Sequence, residues 1–495
     1  MTQTDAQVKK LSELGLTVAQ DVAITGVAID SREVRKGFLF AAVAGSTVHG
    51  GEFIQYALRQ GAAAVLTDAT GAQIAQAELA ASDAVLIVVD EPRETLAYIC
   101  ALWFGGQPDT LIAVTGTNGK TSVSTFTRMI WEEMGLPAVN LGTTGVEGCW
   151  TAPLQHTTPD PITLHRALAA ARENGVTHAA MEASSHGLDQ YRLDGCQLCA
   201  AGFTNFTQDH LDYHKTFEAY FAAKASLFTR VLAEDGTAVI NIDDPKGWDV
   251  VALTTPRGIK TLLVGRGADA DLQIKSVRVD DTGQTVQIEW QGKPRQIRLN
   301  LIGTFQVENA LMAAGLVIAS GADVQEVFDT LPHLKTVRGR MELAGKRDNG
   351  AAVFVDYAHT PDAIASALKS MRPHVMGKLV AVIGAGGDRD TTKRPLMGAE
   401  AGKHADVVFV TDDNPRTENP ALIRQAVIGG CPDGIEVADR AEAILRAVDT
   451  LEAGDALLIA GKGHETGQIV GKDVLPFDDV EQASIAIAAL DGTLQ

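Results

Sequence analysis

Residues 111–122 read Leu-Ile-Ala-Val-Thr-Gly-Thr-Asn-Gly-Lys-Thr-Ser. An apolar strand breaks at Gly116, passes through Thr117, Asn118 and Gly119, and enters a helix with Lys120, Thr121 and Ser122. Backbone N–H groups of such a turn can converge on one concavity, and a helix N-terminus adds positive potential there. Lys120 supplies a charge for the outer phosphates, and Thr121 a hydroxyl for a magnesium ion. The chemistry expected is the use of ATP with Mg2+. Only Thr117 and Asn118 separate Gly116 from Gly119, whereas the usual phosphate-binding signature spaces its glycines more widely. Taken alone, the stretch could also be an ordinary glycine-rich turn.

Two later apolar runs end in polar residues. Residues 178–181 lead into Glu182-Ala-Ser-Ser-His-Gly-Leu-Asp-Gln-Tyr-Arg192, and 200–203 into Thr204-Asn-Phe-Thr-Gln-Asp-His-Leu-Asp-Tyr-His214. Ligands of open α/β sheets bind at the carboxyl ends of strands. Glu182 is therefore expected as a Mg2+ ligand across from Thr121, and His210 as a ligand of a second metal or of one shared with substrate. Read alone, His210 could be a plain loop histidine. Lys224, in Tyr220-Phe-Ala-Ala-Lys-Ala-Ser-Leu-Phe228, reads as a solvated helical lysine.

Three loops near the C-terminus carry a different chemistry: Gly384-Ala-Gly-Gly-Asp-Arg-Asp390, Asp412-Asp-Asn-Pro-Arg416 and Gly461-Lys-Gly-His-Glu465. Arg389 and Arg416 can each grip a carboxylate with a planar fork. Asp413 and Glu465 can accept from an ammonium group, and Asn414 both donates and accepts. Such a site suits an amino acid that is zwitterionic at both ends, as meso-diaminopimelate is. Lysine would leave Arg416 without its carboxylate. The candidate amino-acid site is Arg389, Asp413, Asn414, Pro415, Arg416, Gly461 and Glu465. A structural salt bridge is the competing reading for Arg416.

The short Thr115-Gly-Thr-Asn-Gly-Lys-Thr121 loop resembles that of the Mur ligases and of the related folylpolyglutamate synthetases. The order of motifs along nearly the whole chain resembles the Mur ligases, and the 413–416 tetrad resembles their diaminopimelate-adding members; lysine-adding members lack the arginine. The resemblance implies that Asn309 lies at the adenine, Arg340 at the phosphates and Asp356 near the ribose, with the loop 116–122 completing the ATP site. It implies that Lys224 is carbamylated by CO2, giving a two-oxygen anionic ligand that joins Thr121, Glu182 and His210 in holding metal. Lys120, His210, carbamylated Lys224 and Arg340 are then the catalytic residues. It also implies UDP-MurNAc-L-Ala-D-Glu as a substrate, held by Ser31 and Arg32 of Asp30-Ser-Arg32 and by Thr157, Thr158, Ser184, Gln190 and Arg192. Gly142-Thr-Thr-Gly145 matches a family motif without a chemical role of its own. His49-Gly-Gly51 departs from the expected loop, so uridine contacts there are left open. The implied reaction joins amine to carboxylate through an acyl phosphate. The alternatives are the same ligation with L-lysine, and a nucleotide-gated binding protein that no longer catalyses.

These residues need a scaffold. A chain of 495 residues suggests three domains, placed at 1–107, 108–336 and 337–495. The expected class is α/β: an N-terminal α/β domain binding the UDP-muramoyl group, a central doubly wound parallel sheet carrying the phosphate loop, and a C-terminal Rossmann-like domain binding the amino acid. Strands are expected at 22–30, 38–43, 63–67, 84–89, 138–140, 178–182, 200–204, 238–241, 260–264, 353–356, 379–384, 407–411 and 456–460, with a small β-insert over 272–302. Helices are expected at 51–60, 307–320, 362–371, 421–427 and 441–450. Hinges at 105–110 and 335–340 would let the domains close. Forty-two Lys and Arg against 62 Asp and Glu give a formal charge of −20, which argues against a broad nucleic-acid surface. Residues 1–10 lack an apolar leader and no run is long enough to span a bilayer, so a cytoplasmic monomer with reduced cysteines is expected.

Overall fold

The computed structural model describes residues 7–45, 47–280 and 282–493; residues 1–6, part of the segment inspected for a leader, lie outside this set. Short apolar runs separated by helices form three main sheets whose inner strands are buried on both faces, as parallel strands require. In the N-terminal domain Gly26–Ala28, Phe38–Ala42, Ala64–Thr67 and Val85–Val88 pair in parallel. Leu39, Ala41 and Leu66 face one apolar cluster, and Phe40, Ala42 and Val65 the other. The strand expected over 22–30 divides. Ile24 pairs antiparallel with Lys9, while Gly26–Ala28 turns to pair with Phe38–Ala42.

The central sheet has ten strands. Its parallel part runs Lys260–Gly265, Thr237–Asn241, Ala200–Phe203, Thr110–Thr115, His178–Glu182, Ala138–Gly142 across the sheet. The chain leaves Thr110–Thr115 toward Ala138–Gly142 on one side, whereas the adjacent Ala200–Phe203 leads on to Thr237–Asn241 on the other, so the loop after Thr110–Thr115 sits at a topological switch point. Register puts Glu182 beside Val114 and Phe203 beside Thr115. Gly116, Ala183 and Thr204 therefore open onto one edge. The small β-insert expected over 272–302 is present, and it forms the rim of this sheet. Leu272 pairs in parallel with Val264, and Leu272–Asp280, Gly283–Trp290 and Lys293–Leu299 continue the ladder antiparallel. Alternation explains it: Ile274, Val286, Ile288 and Ile297 all enter the cluster that Phe305–Ala319 covers.

In the C-terminal domain the order is Glu342–Lys346, Ala352–Asp356, Ala456–Ala460, Leu379–Ile383, Val407–Val410, Ile435–Glu436, parallel after the first pair. The loops at 384–392, 411–418 and 461–466 thus share one edge, as expected. Glu342–Lys346, the helices Lys393–His404 and Asp479–Leu490, and a hairpin of Gly467–Val470 with Asp473–Pro476 were not foreseen. Among the described residues, no helix is long and apolar enough to cross a membrane, and all five cysteines are free.

Candidate active site

The helix Lys120–Glu133 starts directly after Gly119, whose φ of 87° turns the chain into it. The loop is braced from the neighbouring strand end. Asn205 accepts from the Thr117 N–H at 2.9 Å through its carbonyl and from the Asn118 N–H at 2.8 Å through Oδ1. The Lys120 ammonium donates to the Gly116 and Thr117 carbonyls, each at 2.9 Å. Burial lowers its pKa and Arg340 adds to that, while Glu182 and Asp209 oppose the shift.

Glu182 meets Thr121 as the sequence suggested: the Thr121 hydroxyl donates to Oε2 at 2.9 Å, and Arg340 Nη2 donates to that hydroxyl at 3.0 Å. The guanidinium lies 4.4 Å from the centre of the Tyr357 ring. Arg340 thus brings the C-terminal domain onto the phosphate loop. The role missing for the 142–145 motif is also visible. The Thr143 N–H donates to Glu182 Oε1 at 2.8 Å, and a Cβ on Gly142 would lie 2.0 Å from that oxygen. The motif holds the carboxylate from behind and needs the missing side chain to let it approach.

The four expected metal ligands are not drawn into one cluster. Thr121 and Glu182 touch, with a hydroxyl and a buried carboxylate that fit a hard cation. His210 turns toward Asp209, with Nε2 3.4 Å from Oδ2, and its ring centre lies 4.9 Å from that of His186. Burial pushes the His210 imidazole well below its ordinary range. Among the described residues no group of three or more His, Cys, Asp or Glu is arranged to hold a metal.

Lys224 corrects the reading from spacing alone. It is not solvated but 1% exposed, with Nζ 2.7 Å from the Gly116 carbonyl and 4.5 Å from the centre of the Tyr220 ring. Burial drives its pKa well down, and Lys120 drives it further. A buried, easily neutralised amine is the form that can react with CO2.

The surrounding cleft measures ≈ 770 Å³ and includes Ser122, Asn309 and Asp356 at its nucleotide end. Asn309 donates to Gln306 at 3.1 Å. Asp356 is largely committed: Oδ2 accepts from the Met341 N–H at 2.7 Å and Oδ1 from the Ala358 N–H at 2.8 Å. At the other end Thr157, Thr158, Ser184 and Arg192 also line the cleft. Thr158 bridges the Glu182 carbonyl and the Ser184 N–H, and Arg192 donates to the Thr158 carbonyl at 2.6 Å. Gln190 stands behind, accepting from Arg192 at 2.8 Å. Ser31 and Arg32 are not brought to this cleft. Arg32 folds its fork onto Asp30, because that acid, which also caps the turn Ser31–Glu33, is the nearest partner for an exposed guanidinium.

The 413–416 tetrad does not line the cleft, and Arg389 alone of the expected amino-acid ligands does. Among the described residues Arg416 takes no structural salt bridge; Nη1 donates to the Gly387 carbonyl at 2.8 Å. Its backbone is left-handed, with φ 50°, strain of a kind that collects at binding sites. The ammonium that Asp413 and Glu465 meet is internal. Lys462 Nζ lies 3.5 Å from Asp413 Oδ1 and 3.6 Å from Glu465 Oε2. Asn414 is engaged at both ends, by Lys462 and by Glu465. Gly461 lets this happen, since a Cβ there would lie 2.6 Å from Asp413 Oδ2.

Sequence reasoning also passed over Asp209, which faces His359 at 3.9 Å and Lys393 at 3.7 Å from the C-terminal domain. Burial opposes its ionisation, yet His210, His359 and Lys393 hold its pKa below the usual carboxylate range. Its place one residue before His210 at a strand end was the available signal.

A phosphate loop, a guanidinium delivered from a third domain and a separate edge of charged loops fit a three-domain, nucleotide-dependent ligase. Family models agree over each sheet: the Mur ligase family catalytic domain over 23–103, the Mur ligase middle domain over 114–317, and the Mur ligase glutamate ligase domain over 339–463. The chain belongs to the Mur ligase family. More particularly, it is 49% identical to the UDP-N-acetylmuramoyl-L-alanyl-D-glutamate–2,6-diaminopimelate ligase of Bradyrhizobium diazoefficiens, over 94% of this chain and 95% of that one. It is 45% identical to the enzyme of the same name from Mesorhizobium japonicum, over 95% and 96%. A solved structure of a ligase of that name superposes with a TM-score of 0.70 at 34% identity, covering 98% of this chain and 99% of the other.

Proposed function

We propose that this chain adds meso-diaminopimelate to the D-glutamate γ-carboxylate of UDP-MurNAc-L-Ala-D-Glu, using ATP, in peptidoglycan precursor synthesis. The observation that carries the reading is Arg416 beside the acidic loops of Asp413 and Glu465, with its fork donating to the Gly387 carbonyl and, among the described residues, in no salt bridge with a carboxylate. Lysine would leave it so; diaminopimelate supplies the second carboxylate.

In the first step a γ-carboxylate oxygen attacks the γ-phosphorus of ATP and ADP departs. In the second the diaminopimelate amine attacks the acyl phosphate carbonyl, loses a proton and expels phosphate. The protein's share is positioning and charge neutralisation. Lys120 leaves its loop carbonyls for the phosphates, and Arg340 reaches them across Thr121. Thr158, Ser184 and Arg192 hold the muramoyl peptide, with Gln190 steadying Arg192. Glu182 and Thr121 would hold Mg2+, whose charge would offset that of the phosphates, with His210 and carbamylated Lys224 as further ligands. Asn309 and Asp356 would meet the nucleoside, the latter while still tying Met341 and Ala358. Ser31 and Arg32 would meet the uridine diphosphate away from the cleft. The domain limits 1–107, 108–336 and 337–495, a monomeric working unit and a cytoplasmic location belong to the same reading.

The test is phosphate release with ATP, Mg2+ and UDP-MurNAc-L-Ala-D-Glu, with meso-diaminopimelate and L-lysine offered in parallel. Turnover with diaminopimelate alone is expected. Turnover with lysine alone would overturn the assignment of Arg416 and keep the ligase.

A further inference from the structure

The loop after Ala456–Ala460 carries a lysine that no part of the reaction above employs. Lys462 has no exposed side-chain surface. Its ammonium donates to the Gly467 carbonyl at 2.7 Å and to Asn414 Oδ1 at 2.9 Å, with Asp413 and Glu465 just beyond. One buried cation therefore ties together the tetrad loop, its own loop and the hairpin that begins at Gly467. It also decides which way the Asn414 amide faces. Oδ1 accepts from both Lys462 and the Ile469 N–H, each at 2.9 Å, which leaves Nδ2 to donate to Glu465 Oε2 at 2.8 Å.

Charge gives the second half of the argument. Asp413 and Glu465 bring two negative charges and Lys462 returns one. Arg440, which also acts on both acids, is matched by Asp479, so one negative charge is left for the ammonium of an incoming amino acid while Arg416 remains for a carboxylate. We propose that Lys462 is a positioning residue of the amino-acid pocket, setting the orientation of Asn414 and keeping Glu465 able to receive a substrate ammonium. This rests on the reading that these loops receive diaminopimelate. Burial and the neighbouring Asp413 already hold the Glu465 carboxyl above its usual range, against Asn414, Lys462 and Arg416. Without the lysine, two carboxylates would face each other uncompensated, and the Asn414 amide could turn over. The damage would fall on amino-acid binding and spare phosphoryl transfer.

Wild-type protein is assayed first with diaminopimelate and with lysine; silence with both overturns the functional reading and this proposal with it. With wild type active, Lys462→Met and Lys462→Gln are each expected to raise KM for diaminopimelate by about 30-fold or more, the scale of truncating one partner of a buried charge pair. The value of kcat, and KM for ATP and for the nucleotide peptide, should stay within about 3-fold. In a Glu465→Gln background, Lys462→Met should add clearly less than the factor it costs alone, because one of the two groups it acts through is gone. Calorimetric ADP binding checks the fold of each variant. Variants that behave as wild type overturn the role of Lys462 alone. So does a parallel rise in KM for all three substrates, a fall in kcat at constant KM, full multiplication in the double variant, or loss of ADP binding in both single variants.

Discussion

At the scale of single residues, burial decides what each ionisable group can do. Arg416 is the clearest case for binding in the proposed function: its fork spends one donor on Gly387, and the reading gives the rest to the substrate carboxylate. Arg416→Ala should raise KM for diaminopimelate by roughly 10- to 100-fold, the range of a charge-assisted hydrogen bond, with KM for ATP unmoved in the same steady-state assay. His165 is a case for stability. Burial pushes its imidazole down to about 4 from 6.5, against a hydrogen bond to the Asp194 carbonyl at 3.2 Å. The folded value lies below the unfolded one, so its contribution is complete above 6.5 and is lost as pH falls toward 4. The loss by pH 4.5 is about 2–3 kcal/mol. Urea denaturation should show this acid limb in the wild type and a flatter one in His165→Gln.

At the scale of elements, strand ends deliver the chemistry and close packing tunes it. Gly142 ends its strand against Glu182, so Gly142→Ala would force the carboxylate away from Thr121. Phosphate release should fall by about 100-fold or more, since a shift of about an ångström costs that much at a positioned group, while the thermal midpoint moves little. The helices Arg440–Asp449 and Asp479–Leu490 are joined by Arg440 and Asp479, both without exposed side-chain surface, through two hydrogen bonds of 2.7 Å. Arg440 also donates to the Ala460 carbonyl at 3.0 Å, next to the 461–466 loop. Arg440→Met strands a buried carboxylate and should cost about 3–5 kcal/mol in chemical denaturation. Arg440→Met with Asp479→Leu should recover most of it.

At the scale of the molecule, the reaction needs groups from separate domains. Asn118 donates to Asp362 at 3.4 Å, Arg340 reaches Thr121, and Asp209 faces His359 and Lys393. These are few polar ties across a wide cleft, flanked by the 105–109 loop, with Gly105 at φ 75°, and by the 335–341 segment, with Gly339 at φ 66°. Closure around ligands is expected at these two places. Small-angle scattering should show a smaller radius of gyration with a non-hydrolysable ATP analogue and the nucleotide peptide together than without them; an unchanged radius would exclude it. The formal charge of −20 repels these anionic substrates at long range, so their binding rests on the short-range donors of the cleft.

Much was legible in the chain because period and punctuation are local. Apolar runs broken by glycine marked Thr110–Thr115, His178–Glu182 and Ala200–Phe203, and the rule that ligands meet strand ends put Thr121 and Glu182 together before any coordinates did. The loops at 384–392, 411–418 and 461–466 fell on one edge for the same reason. What stayed hidden depends on neighbours distant in sequence. Spacing made Lys224 a surface lysine, and only the packing of its helix on Gly116 buries it. The strands at 272–299 carry the alternation of a rim or of a separate insert equally, until Leu272 pairs with Val264. Asp413, Asn414 and Glu465 looked open to a ligand until Lys462 arrived between them. Residue types and their order determined the class of chemistry, because each motif needs only its own few residues. Tertiary structure alone decided burial, protonation and which polar groups are already spoken for, because those follow from what packs against each side chain.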